Sequence, residues 1–150
     1  MKNKKLFITT AIVFIIDRLT KQIILNKNIV YYPVINKYLS ITCMANTGAA
    51  FSLFQGKQHL LILISATAAL GFVYYFSKRK ITSFQQIAWG LLLGGAFGNL
   101  FDRIRYNFVV DFINIEAFKF PVFNLADTAI TIGAVMIFYH AFFLERKKNV

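Results

Sequence analysis

Two aspartates stand on either side of a short connection: Asp111, in Val109-Val110-Asp111-Phe112, and Asp127, in Asn124-Leu125-Ala126-Asp127. Carboxyl groups brought close together away from water cannot both ionise, so they share one proton. The charged member can then act as general base on a water while the protonated one polarises the carbonyl under attack. Other polar residues have spacings that suit support of such a pair. Asp17 and Lys21 are four residues apart, on one helix face, and can pair. Asn99 and Arg103 have the same spacing, and Asn124 and Asp127 are three apart. The amides of Asn46, Asn99 and Asn124 offer donors and acceptors, which suits an extended peptide backbone. Arg103 is a candidate to hold the outer loop by its carbonyls or to orient an acidic neighbour. Asp102, beside it, is expected on a different helix face in a supporting role, and Arg18 reads as a snorkelling interfacial residue.

The elements that must position these residues are apolar. Of 150 residues, 57% are hydrophobic and 15% charged, against roughly 25% charged in an average soluble chain. Four runs are long enough to cross a bilayer: about 5–25, 58–76, 84–104 and 121–143. The formal charge is +11, yet nine basic residues gather in three clusters: Lys2, Lys4, Lys5; Lys78, Arg79, Lys80; and Arg146, Lys147, Lys148. Apolar runs separate them, which argues against nucleic acid as a partner. All three clusters fall on one side of a four-span chain. The bias of Lys and Arg toward cytoplasmic loops places both termini inside. Residues 26–57 and 105–120 then lie outside. Asp17, Arg18, Lys21 and the absence of a small-residue cleavage site make the first run an uncleaved anchor.

Helical rise then sets depth. Asp17 lies roughly 18 Å along the first span, Asn99 roughly 22 Å along the third, and Asn124 and Asp127 within roughly 10 Å of the outer end of the fourth. Polar residues from three helices share one layer near the outer face, where each is costly unless partnered. Gly90, Gly94, Gly95 and Gly98 permit close packing of the third span, bringing Asn99 toward the fourth. In the first outer loop, Val30–Tyr32 and Tyr38–Cys43 favour a small β-sheet, with Pro33 and Asn36 dividing its strands. The single cysteine, Cys43, excludes an internal disulfide, and no Cys/His cluster suggests a metal.

Five motifs in order resemble the lipoprotein signal peptidases (signal peptidase II) over the whole chain. They are Asp17-Arg-Leu-Thr-Lys21; Asn46-Thr-Gly-Ala-Ala-Phe-Ser52; Gly94-Gly-Ala-Phe-Gly-Asn99-Leu-Phe-Asp102-Arg103; Val109-Val-Asp111-Phe112; and Pro121-Val-Phe-Asn124-Leu-Ala-Asp127-Thr128. The resemblance implies a single all-α membrane domain with four transmembrane helices. It adds an extracytoplasmic β-cradle and a short surface helix within residues 28–56. It implies an aspartyl endopeptidase of the bacterial plasma membrane that cuts a prolipoprotein just before its diacylglyceryl-modified cysteine, without a cofactor. Asp111 and Asp127 take the catalytic positions; Asp17, Lys21, Asn46, Asn99, Arg103 and Asn124 support them, with Gly48 in the small stretch beneath the substrate. Membrane lipid and peptide antibiotics that occupy the cleft are the further partners implied.

Three other readings compete on the residues alone. A serine peptidase would pair Ser52 with Lys21 as base. A proton-coupled transporter would carry its carboxylate near the midplane, whereas these acids crowd toward one face. A purely structural subunit leaves Asp127 without a role.

Overall fold

A computed structural model describes residues 3–48, 54–118 and 120–144. Four helices are present: α1 (Lys4–Asn26), α2 (Gln58–Lys78), α3 (Ser83–Tyr106) and α4 (Leu125–Tyr139), the last extended by a wider turn, His140–Leu144. Three strands form one antiparallel sheet in the order β1-β2-β3: β1 (Tyr32–Ile35), β2 (Leu39–Asn46) and β3 (Val109–Ile115).

Local chemistry explains the boundaries. The α3 start is a capping box in which the Thr82 hydroxyl accepts from the Gln85 amide and the Gln85 side chain accepts from Thr82 N–H. It ends on Asn107, whose left-handed backbone (φ 62°) turns its N–H back to the Arg103 carbonyl. The fourth apolar run was expected to be helical from 121, but α4 begins at Leu125. Asn124 and Asp127 form a second capping box there, and Phe123 is drawn into a bridge with Ile113 of β3. Buried Asn3 donates to the carbonyls of Phe76 and Arg79, both at 2.7 Å, pinning the start of α1 to the α2–α3 turn.

Glycine decides the packing. An added Cβ at Gly94 would stand 2.6 Å from Val13 Cβ, and one at Gly90 2.7 Å from Thr9 Cβ, so α1 lies directly against α3. On the other flank Gly95 faces the Ala126 carbonyl and Gly98 the Asp17 carboxylate, which lets α4 and α1 close on α3 together. The small-residue reading of α3 thus holds. α2 docks through Phe72 and Phe76 on Trp89, with centroids 4.7 and 4.9 Å apart.

The sheet departs from expectation in two ways. Pro33 sits inside β1 rather than dividing strands; β1 is an edge strand, where a missing N–H costs nothing. The turn falls at Asn36–Tyr38, with Lys37 at φ 67°. The third strand comes from the second connection, which had been assigned no strand. Its β-branched and aromatic run Val109-Val110-Asp111-Phe112-Ile113, buried over its first four residues, pairs with β2, with Met44 opposite Asp111 and Asn46 opposite Val109. Part of the region expected to carry the surface helix, residues 49–53, lies outside the described residues; the described flanks form loop and turn.

Burial is inverted relative to a soluble domain. Asp17, Lys21, Asp102 and Asn124 are fully buried, while Ile8, Ile12, Ile15 and Leu19 make an exposed stripe along α1 and Ile132, Val135, Phe138 and Phe142 another along α4. An apolar exterior over a polar interior suits a lipid surround. By length and composition alone, two helical segments are apolar enough to cross a membrane, Gln58–Lys78 and Leu125–Phe143. α1 does not meet this measure because it carries Asp17, Arg18 and Lys21, and α3 does not because Gln85, Gln86, Asn99 and its glycines lower its apolar content.

Candidate functional site

Four elements meet at the C-terminal ends of α1 and α3. Asn124 is the hub. Its side-chain Nδ2 donates to Asp111 Oδ1 at 2.6 Å and to Asn99 Oδ1 at 3.2 Å. Its backbone N–H donates to Asp127 Oδ2 at 3.2 Å, and its Oδ1 accepts from Asp127 N–H at 2.9 Å. One residue therefore holds both aspartates: Asp127 as the third residue of the capping box, Asp111 through the amide. Asp127 lies in the first turn of α4.

The sheet supplies the other wall. Asn46 lies diagonally across from Asp111 and donates Nδ2 to its Oδ2 at 2.8 Å. Its Oδ1 accepts from Gly48 N–H at 2.9 Å, and the Gly48 carbonyl accepts from Arg103 Nη2 at 3.0 Å. Arg103 Nη1 returns to the Asn99 carbonyl at 3.5 Å, closing a ring of hydrogen bonds around the two acids. The expectation that Arg103 holds a loop by its carbonyl is met at Gly48.

Behind the ring lies an ionic cluster. Lys21 Nζ is buried and reaches three acceptors: Asp17 Oδ2 at 2.9 Å, Asp102 Oδ2 at 2.8 Å and Asn99 Oδ1 at 2.9 Å. Asp17 Oδ1 accepts from Ala126 N–H at 3.1 Å, tying α1 to the start of α4. Asn99 joins cluster and acids, donating Nδ2 to Asp127 Oδ1 at 2.8 Å. All nine site residues named from the sequence are thus connected: Asp17, Lys21, Asn46, Gly48, Asn99, Arg103, Asp111, Asn124 and Asp127.

Two residues were undervalued. Asp102 does not point away: fully buried, it binds Lys21, accepts from Val110 N–H at 3.2 Å and pairs with Arg18 Nη1. Arg18 is not a free interfacial cation; it is bound to Asp102 and its guanidinium lies 4.5 Å from the Phe101 ring centroid. The adjacent opposite charges, Asp17-Arg18 and Asp102-Arg103, were the available signal. Ser52 of the serine alternative lies outside the described residues. Lys21, held by two carboxylates and an amide, is placed as a structural cation rather than a free-amine base.

The charges nearly cancel. Arg18, Lys21 and Arg103 face Asp17, Asp102, Asp111 and Asp127, the chain's four aspartates. One proton on the last pair makes the group neutral, which buried charge demands. Burial pushes the Asp111 carboxyl up to about 6, with the Asp127 charge adding to the rise and the bonds from Asn46 and Asn124 opposing it.

The chain is similar to known proteins over nearly its full length. A sequence profile described as "Signal peptidase (SPase) II" matches residues 9–143. A lipoprotein signal peptidase of Clostridium novyi is 40% identical over 139 residues, covering 89% of this chain and 92% of the relative. One from Clostridioides difficile is 35% identical over 147 residues (96% and 99%), and one from Staphylococcus aureus 40% over 145 (90% and 89%). A bacterial membrane enzyme solved by the in meso method at 2.3 Å resolution superposes with a TM-score of 0.85 at 35% identity, covering 96% of this chain and 90% of that one. A second, at 1.9 Å, gives 0.82 at 35% identity, covering 92% of each. With a polar site enclosed by apolar helices and this likeness along the whole chain, the protein belongs to the signal peptidase II family.

Proposed function

We propose that this membrane peptidase removes the signal peptide from a prolipoprotein, cutting before the diacylglyceryl-modified cysteine, with Asp111 and Asp127 as its catalytic pair. The observation that carries the aspartic mechanism is the double hold of Asn124 on both acids, 2.6 Å from Asp111 Oδ1 through its side chain and 3.2 Å from Asp127 Oδ2 through its backbone. Asp127, at the start of α4 and bonded by Asn99, serves as the general base and takes a proton from water. Asp111, whose carboxyl is raised to about 6, carries the shared proton and donates to the carbonyl oxygen. After the water oxygen bonds to the carbonyl carbon, the proton on Asp127 passes to the leaving amine, the C–N bond breaks, and Asp111 regains its proton. Asn46 and Arg103 hold the sheet and the Gly48 segment against the pair, and the Lys21 cluster fixes the wall behind.

The same reading makes the chain a single domain crossing the plasma membrane four times. Its three basic clusters and both termini face the cytoplasm, and the sheet and site face outward. α1 and α3 can enter lipid because their charges are paired within the bundle. Membrane lipid surrounds the exposed stripes, and peptide antibiotics that mimic the substrate compete for the cleft beside the acids.

The test is cleavage of a lipid-modified prolipoprotein by purified wild type, Asp111→Asn and Asp127→Asn. Each variant should lose on the order of a thousandfold or more in kcat while its melting transition is retained, and a chelator should leave the wild type active. Full activity in either variant removes the dyad.

A further inference from the structure

α2 and α4 pack on α3 rather than on one another, so the flank of α3 between them is the floor of an open trough. On α3, Gln85, Trp89, Leu92, Ala96 and Asn99 recur every three or four residues, and the first four are half-buried. On α4 the matching series is Asp127, Ile130, Ala134, Ile137 and Ala141. Ile130 faces Gly95, and the backbone of Leu92 faces Gly133, so both series border the seam between the two helices. One end of the trough is the acid pair. The other is a cavity of about 220 Å³ lined by Tyr75 and Phe76 of α2, Gln85 and Trp89 of α3, and Ile137, His140 and Ala141 at the end of α4, so that Gln85 and His140 give its apolar wall a polar edge.

We infer that this inner cavity is a substrate subsite that receives the first residues of the signal peptide's apolar core and so measures that core's length. The inference rests on the prolipoprotein reading above. Two observations select the occupant. Asp127 and Ala141 are fourteen residues apart, so the trough runs about 21 Å. The apolar core of a signal peptide, 7–15 residues, spans up to about 22 Å as a helix. A core of full length anchored at the acids therefore ends in the cavity, and a short one does not reach it. The charge beyond it is also selective. Lys78 ends α2 and Arg79 and Lys80 follow it, and the Arg79 guanidinium lies 4.9 Å from the Tyr75 ring centroid at the cavity's edge. A basic side chain drawn into the cavity by a short core would meet that rim, whereas a core of full length places an apolar side chain there.

The experiment compares two lipid-modified prolipoproteins, one with a fifteen-residue apolar core and one shortened by about one helical turn at the inner end. Wild type should prefer the longer substrate through KM. Ala141→Trp, at an exposed position, fills the cavity from α4. It should raise KM for the longer substrate about tenfold and erase the preference, with kcat held and the melting temperature kept; Ile137→Phe should act in the same direction. Equal KM for the two substrates in wild type, or an equal effect of Ala141→Trp on both, overturns the subsite while leaving the peptidase reading intact. Failure of wild type to cleave either substrate removes both.

Discussion

Lys21 Nζ donates to Asn99 Oδ1 at 2.9 Å, and together with Asn124 Nδ2 on the same oxygen at 3.2 Å it fixes which end of the amide faces Asp127. An ammonium can only donate, so it claims the oxygen and turns Nδ2 toward the carboxylate, 2.8 Å away. A cation on α1 thereby sets the hydrogen bonding of an acid on α4. Lys21→Met should weaken that hold, leaving only Asn124 on the oxygen, and leave Asp17 and Asp102 buried without their shared counter-charge. The expected loss is about 3–5 kcal/mol of stability, checked by thermal melting in detergent. Folded Lys21→Met should also show reduced kcat. A variant with wild-type melting would mean that water reaches the cluster.

Arg18 and Asp102 should differ although they share an ion pair. Arg18 keeps 14% of its side chain exposed and Asp102 none. Arg18→Gln loses a partly solvated contact and its stacking on Phe101, about 1–2 kcal/mol. Asp102→Asn leaves Lys21 and Arg18 in excess and unbalances Val110 N–H as well, so its cost should approach that of Lys21→Met. Melting of the two variants side by side settles the order.

The raised Asp111 carboxyl predicts the pH profile. Its protonated form is present below about 6 and is lost as pH rises through that value. The alkaline limb of kcat/KM, which reports free enzyme, should therefore begin near pH 6. Bound substrate excludes water and disfavours the charged form further, so the limb of kcat should lie at higher pH. A pH-rate profile with both limbs at the same pH would count against Asp111 as the proton carrier. For stability the sign is the same: the ordinary value is 3.8, so this group favours the fold below that pH, and the contribution fades as pH rises through about 6.

Gly98 and Gly71 make a matched pair. A Cβ at Gly98 would meet the Asp17 carboxylate, whereas one at Gly71 meets nothing within 4 Å. Gly98→Ala should push Asp17 from Ala126 N–H and lower both melting temperature and kcat. Gly71→Ala should be neutral or stabilise α2 by up to about 1 kcal/mol. Equal melting of the two variants would show that α1 and α3 separate without cost.

Helices, their approximate ends and the convergence of Asp17, Asn99 and Asp127 at one depth were legible because apolar run length and helical rise are local quantities. The close approach at Gly94, Gly95 and Gly98 was legible for a similar reason: a missing side chain permits contact whatever the partner. The strand around Asp111 was not, because its pairing with Met44 and Asn46 joins segments some sixty residues apart and β propensity depends on the neighbour. Asp102 escaped for a related reason. Helical spacing turns it about 100° from Arg103, but it stands three residues from Asn99 and so on the same face, where Lys21 of α1 serves both at once.

The amino-acid sequence by itself determined which residues carry charge, how deep each lies along its helix and where helices can touch, since each follows from composition and rise per residue. Only the tertiary structure decided that Asn124 holds both acids, that Asp102 and Arg18 belong to the site, and that α2 and α4 leave a trough between them. Those depend on which donors face which acceptors once four elements meet, and unpaired charge away from water is what forces that arrangement to close.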